Sequence, residues 1–462
     1  MIKRTIDQLV KMIQIENDVF AYADIEIHGV CIDTRKIQKG NLFIPFKGEN
    51  TDGHRFVMPA IEAGASAVLW QKDVPNPPKN IPVLIVEDTL LALQQLARSY
   101  RNELSAKIIG ITGSNGKTTT KDIAAAIFSQ AYHVHKTEGN FNNHIGLPLT
   151  ILGMDEATEV AVLEMGMSGK GEISLLTKLA RPDVAIITNI GEAHMQDLGS
   201  REAIADAKLE IAEGLKEGGL LIYPGNEPLL VKRVSMLKQY RTRTFGASSE
   251  YDLYPDHLDM NDSGSTFIVP ALSDQPFFLP IPGKHNIFNA LAVLLAAGDF
   301  LIAENEIRNG LKEVKLSNMR MEWHDGFKET RILNDAYNSS PTATLAVISM
   351  FENMGNEREK MIVLGDMLEL GEQAIQYHER VGKEIDPKKI KYVFTYGELG
   401  KYIAMGAKIN FSENHVFHFT DQDELVSALK EKIEGHEVIL VKASRGMRME
   451  KTVNALSISK EK

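Results

Sequence analysis

An α/β chain of three domains is predicted by three observations. From Lys107 onward, β-prone runs alternate with helical patterns, the mark of a mostly parallel sheet covered by helices. That alternation breaks between about Thr244 and Pro282, where Thr266–Val269 and Phe277–Ile281 are short β-prone pieces set among Asp, Ser, Gly and Pro; an antiparallel appendage is expected there. At 462 residues the chain is also too long for one compact core. The expected boundaries are 1–105 for a small N-terminal α/β domain, 106–315 for a central parallel-sheet domain with the appendage, and 316–462 for a doubly wound, Rossmann-like C-terminal domain.

The first region carries β-prone runs at Val30–Ile32, Asn41–Pro45, Ala67–Trp70 and Val83–Val86. A helical stretch follows from about Leu90 to Arg101, and Asn76-Pro77-Pro78 marks a turn. In the third region Arg331–Leu333, Met361–Leu364, Tyr392–Thr395 and Val438–Val441 read as strands with helices between them, and the tail from Ser457 to Lys462 is expected to fray. Composition narrows the function. With 44% hydrophobic and 24% charged residues the chain has a globular balance, and its net charge of -11 argues against a general nucleic-acid binder. The single cysteine, Cys31, allows no internal disulfide and fits a reducing cytoplasm. No run is long and apolar enough to span a membrane, and Met1–Asp18 lacks the apolar core of a signal peptide.

The central region opens with the most chemically specific stretch. Thr112-Gly113-Ser114-Asn115-Gly116-Lys117-Thr118-Thr119 lies between the apolar run Ile108–Ile111 and a helical segment, Lys117–Ala131. A glycine-rich turn in that place frees backbone N–H groups for an anion, and the helix N-terminus adds partial positive charge. Lys117 can reach outer phosphates and the Thr118 hydroxyl can bind Mg²⁺. The common G-x-x-x-x-G-K-[ST] pattern wants glycine where this chain has Ile111, so this is a shortened variant in which Gly113 and Gly116 do the bending.

Ligands of open parallel sheets bind beyond the carboxyl ends of the strands. Glu164, Asn189, His194, Asp335 and Asp366 all fall just after β-prone runs. Glu164 and His194 could complete a Mg²⁺ site, although histidine is an unusual magnesium ligand and His194 alone reads as a hydrogen-bonded loop residue. Lys208 falls on the apolar stripe of Ile204, Ile211 and Leu215 in a helix expected over Ser200–Leu215, so it faces inward. Burial pushes a lysine toward its neutral form. It either snorkels or pairs with a carboxylate, which spacing alone favours, or its amine takes up carbon dioxide and becomes a carboxylate-like carbamate. Asn140-Phe141-Asn142-Asn143-His144 is a turn-rich loop or a set of amide donors and acceptors for a polar substrate. Asn286 and Asn289, one turn apart at the start of an apolar helix, either face a base or, for Asn286, cap the helix.

Taken together these motifs carry a family likeness. Ile109–Thr119 resembles the ATP loop of the Mur ligases, which use the shortened form. Glu164-Met165-Gly166, Thr188–His194, inward Lys208 and His285–Ala290 follow in the family's order. Asn140–Gly146, Asn334–Asn338 and Leu364–Gly371 resemble the branch that adds D-alanyl-D-alanine. Asp33-Thr34-Arg35, Phe43–Gly48 and Asp52-Gly53-His54 resemble that branch's UDP-substrate domain. Two departures stand out: Thr34 replaces the commoner serine, and Ser339-Ser340-Pro341-Thr342-Ala343 replaces the usual Ala/Ser-Asn-Pro-x-Ser. The Asp-Asn-Pro-Arg motif of the diaminopimelate-adding branch is not found in the C-terminal region.

The resemblance implies a cytoplasmic, monomeric ligase of peptidoglycan synthesis. ATP and Mg²⁺ would be its cofactors, and UDP-N-acetylmuramoyl-tripeptide and D-alanyl-D-alanine its partners. It further implies that Gly113–Thr119 holds the phosphates, and that Thr118 and Glu164 hold one Mg²⁺. His194 and carbamylated Lys208 would hold a second. Asn286, Asn289, Arg320 and Asp335 would complete the ATP site. Asp33, Thr34, Arg35, Asn140, Asn142, Asn143, Tyr337 and Asn338 would bind substrate. Lys117, Lys208, His194 and Asp335 would carry catalysis, and the third domain would close over ATP about a hinge near Leu316–Asn318. A folylpolyglutamate- or cyanophycin-type ligase, or a nucleotide-dependent switch, are the alternatives. Lys442–Gly446 meets the dipeptide carboxylate or forms a solvated basic turn.

Overall fold

The nucleotide-binding motif proposed from sequence sits where the strand order of the largest N-proximal sheet reverses. In the computed structural model, which describes residues 1–48, 51–79, 81–355 and 358–458, this sheet has six parallel strands. From one edge they are Arg241–Phe245, Leu220–Pro224, Val184–Ile187, Lys107–Thr112, Val160–Glu164 and Val134–Lys136. Lys107–Thr112 is the first of these in the chain and stands in the middle. Connections leave it in both directions, and a crevice opens at its carboxyl end. The four inner strands read as near-continuous apolar runs because both their faces are covered. On one face, Lys117–Phe128 and Lys284–Asp299 pack with the antiparallel strands Gly264–Val269 and Ser273–Leu279, whose outer neighbour Asp256–Asn261 is exposed. On the other, helices Gly146–Gly153 and Glu172–Ala180 share one continuous core with the N-terminal region.

That N-terminal region holds four short parallel strands, Val30–Cys31, Leu42–Phe43, Ala67–Gln71 and Val83–Val86, covered by the helix Thr89–Glu103. The C-terminal sheet runs Glu322–Asp325, Arg331–Asn334, Val438–Lys442, Lys360–Gly365, Tyr392–Tyr396, Val416–Phe419, and only its first strand is antiparallel. Its two faces form clusters of their own, and neither shares a buried residue with the clusters of the central sheet. No apolar cluster therefore spans the junction between these two bodies, although Phe288 and Met350 border one cleft along it. The fold class read from sequence, with parallel sheets and an antiparallel appendage, matches this architecture. No described helix is long and apolar enough to cross a membrane.

Three local expectations change. The helix expected over Ser200–Leu215 is α-helical only over Arg201–Leu209 and tightens to a 3₁₀ turn over Glu210–Gly214. There, the Ile211 carbonyl accepts from Thr177 Oγ1 at 2.7 Å. The Glu210 carboxylate reaches away to the N–H groups of Gly171 and Ser174, capping the neighbouring helix. The C-terminal sheet gains a strand before the first one anticipated, Glu322–Asp325. The tail is partly tied down: Ser457 bridges Gly326, and Ile458 N donates to Asp325 O. The rest of that tail lies outside the described residues.

Candidate active site

The glycine-rich loop Gly113–Gly116 is braced from behind. Gly113 has φ +149°, and a Cβ there would lie 1.9 Å from Thr188 Oγ1; Gly116 has φ +80°, and its Cβ would meet Asn289 Oδ1 at 2.6 Å. Glycine is required at both positions by conformation and by space. The brace comes from the loop after Val184–Ile187. Asn189 accepts from Asn115 N at 2.9 Å and donates to Asn115 O at 3.2 Å, Thr188 Oγ1 donates to the same carbonyl, and Ser114 Oγ accepts from Gly191 N. The shape of the loop is thereby fixed before any ligand arrives. The helix Lys117–Phe128 begins directly after it and points its N-terminus into the crevice.

Two cavities meet at this loop. One, of about 220 Å³, runs from Asn115 and Gly116 past Asn286 and Asn289 to Asp335 and Lys442. The other, of about 260 Å³, is lined by Lys117, Thr118, Glu164, His194, Asn142 and Tyr337, among others. Arg320, Asn115 and Asn338 border both. The two sheets thus contribute to one continuous site although they share no core.

Within the second cavity, Thr118 Oγ1 donates to Glu164 Oε2 at 2.9 Å, and Asn142 Nδ2 donates to Glu164 Oε1 at 2.8 Å. Glu164 is buried, with 3% exposure. Lys117 folds back on its own loop, donating to Gly113 O at 2.8 Å. Burial pushes its ammonium pKa down, Glu164 opposes this, and Arg320 adds to it. Among the described residues no three His, Cys, Asp or Glu side chains converge as a ready-made metal cage. Magnesium seldom uses one: it takes one or two carboxylates and draws its other oxygens from phosphate and water. A buried hydroxyl and carboxylate already in contact beside a phosphate loop fit that habit.

Lys208 is fully buried, and among the described residues no side-chain partner accepts from it. Burial first, and the nearby Lys117 charge second, drive its amine well below the ordinary lysine range. It does not line either cavity. The carboxylate pairing that spacing favoured is absent among the described residues.

Toward the first cavity, Asn286 lies inside the helix and donates to Pro282 O at 2.8 Å, so it is not the helix cap; Asn289 donates to Asn286 Oδ1. Asp335 accepts from Lys442 Nζ at 2.5 Å, and Lys442 also reaches Asn338 O. Lys442 is buried, so the solvated basic turn anticipated from sequence is absent at this residue. Arg320 lies over the Tyr337 ring at 4.5 Å, and its Nε has no hydrogen-bond partner among the described residues. An unpaired, buried guanidinium N–H bordering both cavities suits an anion.

The remaining candidates scatter. Asn143 stands in the second cavity's wall and caps the helix after it through Ile145 N and Gly146 N. Asn140 is exposed and lines neither cavity. Asp33 holds Arg35 through two side-chain bonds, 2.9 and 2.7 Å, in the N-terminal region; Thr34 sits between them, and none of the three lines these cavities. That pairing, with the Arg35 N–H, pulls the Asp33 carboxyl down to about 2. Asp366 turns out to cap the helix Gly400–Ala407 through Leu399 N and Gly400 N. Sequence reading missed the bracing role of Thr188 and Asn189 and the Lys442–Asp335 pair. Both depend on contacts between segments far apart in the chain, for which no local spacing exists.

Comparison with known proteins agrees along the chain. Residues 26–101 match the Mur ligase family catalytic domain, 111–297 the Mur ligase middle domain, and 319–445 the Mur ligase glutamate ligase domain. The chain is 51% identical over 456 residues to the UDP-N-acetylmuramoyl-tripeptide--D-alanyl-D-alanine ligase of Bacillus subtilis, covering 99% of each. It is similar to the crystal structure of MurF from Acinetobacter baumannii, with TM-score 0.88, 26% identity and 98% of each chain covered. It also resembles the MurF ligase of Thermotoga maritima in complex with ADP, with TM-score 0.80 and 27% identity, over 93% of this chain and 96% of that one.

Proposed function

This chain belongs to the Mur ligase family, and on that premise we propose that it joins D-alanyl-D-alanine to UDP-N-acetylmuramoyl-tripeptide with hydrolysis of ATP to ADP and phosphate, in the cytoplasm. The observation that carries the reading is the continuous cavity faced by both sheets: the phosphate loop on one side, Asp335 and Lys442 on the other, and Arg320 between. A nucleotide switch has no need of a second body completing the same site.

In this reading an oxygen of the tripeptide carboxylate attacks the γ-phosphorus and ADP leaves. The free amine of the dipeptide then attacks the acyl phosphate carbon, phosphate departs, and the nitrogen gives up a proton. The main barrier is the approach of two anions. Lys117 would leave Gly113 O for the outer phosphates, and Arg320 would spend its free N–H on the same group. Asn286 and Asn289 would hold the base or ribose, with Asp335 fixed beside them by Lys442. Tyr337, Asn338, Asn142 and Asn143 would orient the peptide and the incoming amine. Asn140 would meet the substrate from the loop's exposed end, and Asp33, Thr34 and Arg35 would take the UDP moiety. Thr118, Glu164, His194 and Lys208 would hold Mg²⁺, which when bound neutralises charge between phosphate and carboxylate oxygens. Lys208 serves this only as a carbamate, formed when its neutral nitrogen adds to carbon dioxide and releases a proton.

The test is phosphate release from a panel of UDP-linked peptides and dipeptides, with product masses determined. Release should require both UDP-N-acetylmuramoyl-tripeptide and D-alanyl-D-alanine. Strong turnover without the dipeptide would overturn the ligase reading and favour a switch.

A further inference from the structure

The loop after Lys360–Gly365 crosses to the central sheet and lands on His194. Glu369 Oε2 lies 2.8 Å from His194 Nδ1, although the approach is too oblique to count as a hydrogen bond. The main chain seals the same meeting: Gln196 N donates to Glu369 O at 3.1 Å. Two residues further on, Gly371 is pressed so closely that a Cβ would sit 3.2 Å from Gln196 Cα. His194 and Glu369 both hold left-handed backbones, φ +63° and +64°. For residues other than glycine this costs on the order of 1 kcal/mol each and persists only where surroundings impose it. Two strained residues from separate bodies meet at one point, and one of them lines the cavity of Thr118 and Glu164.

A histidine offers a cation only the ring nitrogen that carries no proton. Which nitrogen that is depends on what the other one touches. A carboxylate at Nδ1 keeps the proton there and leaves the Nε2 lone pair free, as outer carboxylates do behind metal-bound histidines. Because no core cluster joins the two bodies, this carboxylate reaches His194 only when the C-terminal body is docked. Two further polar contacts cross the junction, Thr342 Oγ1 to Glu192 Oε2 at 2.6 Å and Ser340 Oγ to Asn115 Oδ1 at 3.1 Å.

We propose that Glu369 is a positioning residue that turns His194 toward a divalent cation when the C-terminal body docks, so that the cation is bound tightly only in the docked state. The proposal rests on the reading of His194 as a metal-facing residue. It gives the Leu364–Gly371 loop a role that neither its strand-end position nor its sequence supplied: it carries the docking event to the metal.

The experiment uses the full chain loaded with a non-hydrolysable ATP analogue and titrated with Mn²⁺, free ion being followed by electron paramagnetic resonance. Glu369→Ala should weaken Mn²⁺ binding about tenfold, and Glu369→Gln, which still accepts at Nδ1, should lie between it and wild type. Nitrogen-15 labelling of histidine gives a second readout. In wild type with analogue and Mg²⁺, His194 should show a protonated Nδ1, and in Glu369→Ala that tautomer should no longer dominate. Melting temperatures of both variants confirm that they fold, and Glu369→Gln keeps the test open if the alanine variant does not. Equal Mn²⁺ affinity and the same tautomer in all three proteins would overturn the role of Glu369 while leaving the ligase reading intact. A wild type with no Mn²⁺ site beside the analogue would overturn the metal reading, and the proposal with it.

Discussion

Lys208 carries the sharpest consequence at the scale of one residue. Its amine is enclosed, has no acceptor among the described residues and lies near a second lysine. Because the folded pKa lies below the unfolded one, the unfolded chain binds more protons throughout the interval between them. The contribution of Lys208 to stability is therefore full above the ordinary value of 10.5 and is lost as pH falls through the folded value. Lys208→Met keeps the shape and removes the charge. In buffer stripped of carbon dioxide it should melt a few degrees above wild type at neutral pH, by about 1 kcal/mol of added stability. Its thermal stability should also lose part of its slope with pH. Turnover should fall by two orders of magnitude or more. Lys208→Ala should lose turnover too and regain part of it with small carboxylic acids, which replace the missing carbamate. A methionine variant no more stable than wild type would show that the amine already has a partner, and the carbamate proposal would lose its physical basis.

At the scale of elements, strand, turn and helix around Lys117 were legible from local order alone: an apolar run, two glycines at the bends and a helix start. The rigidity of that turn was not legible, because it comes from Thr188 and Asn189, some 70 residues away in sequence. Asn189→Ala removes two hydrogen bonds to Asn115 and leaves the strands untouched. The expected result is a rise of about tenfold in KM for ATP, from about 1.4 kcal/mol of lost preorganisation, with kcat changed far less. Steady-state kinetics at varied ATP checks this, and an unchanged KM would mean that the glycines alone fix the loop. The same limit explains the helix after Ser200. Periodicity placed Lys208 inward correctly, yet it could not foresee Glu210 leaving to cap another helix and Thr177 taking the Ile211 carbonyl. Lys442 was ambiguous for a related reason. A lysine following a strand reads as solvated until its partner is known, and Asp335 is 107 positions away.

At the scale of the whole molecule, the distribution of cores decides which parts move together. The N-terminal region and one face of the central sheet share a single apolar cluster, so sliding between them would expose buried surface at about 25 cal/mol per Å². The C-terminal body shares no buried cluster with the central sheet, and its contacts there include polar pairs whose cost of separation in water is small. Its covalent link is anchored on the central side. Asp122, buried at the back of the phosphate-loop helix, accepts from both Ser317 N and Ser317 Oγ at 2.8 Å. Beyond that anchor Met319 and Met321 take positive φ, +62° and +47°. The bend between the bodies is therefore expected just after Ser317, within the hinge anticipated at Leu316–Asn318 or one turn beyond it. Here the docked arrangement brings Arg320 and Asp335 to the cavity lined by Asn286 and Asn289. Without ligand to bridge the two sides of the cavities, and with no apolar cluster shared between them, the C-terminal body should swing away. Small-angle scattering should show a larger radius of gyration for the free protein than for protein with ATP analogue and UDP-linked tripeptide. Asp122→Asn, which weakens the anchor but touches neither cavity, should broaden the free ensemble without moving the closed one. Profiles that stay the same with and without the two ligands would mean that the junction holds by itself, and closure would then not be the event that completes the site.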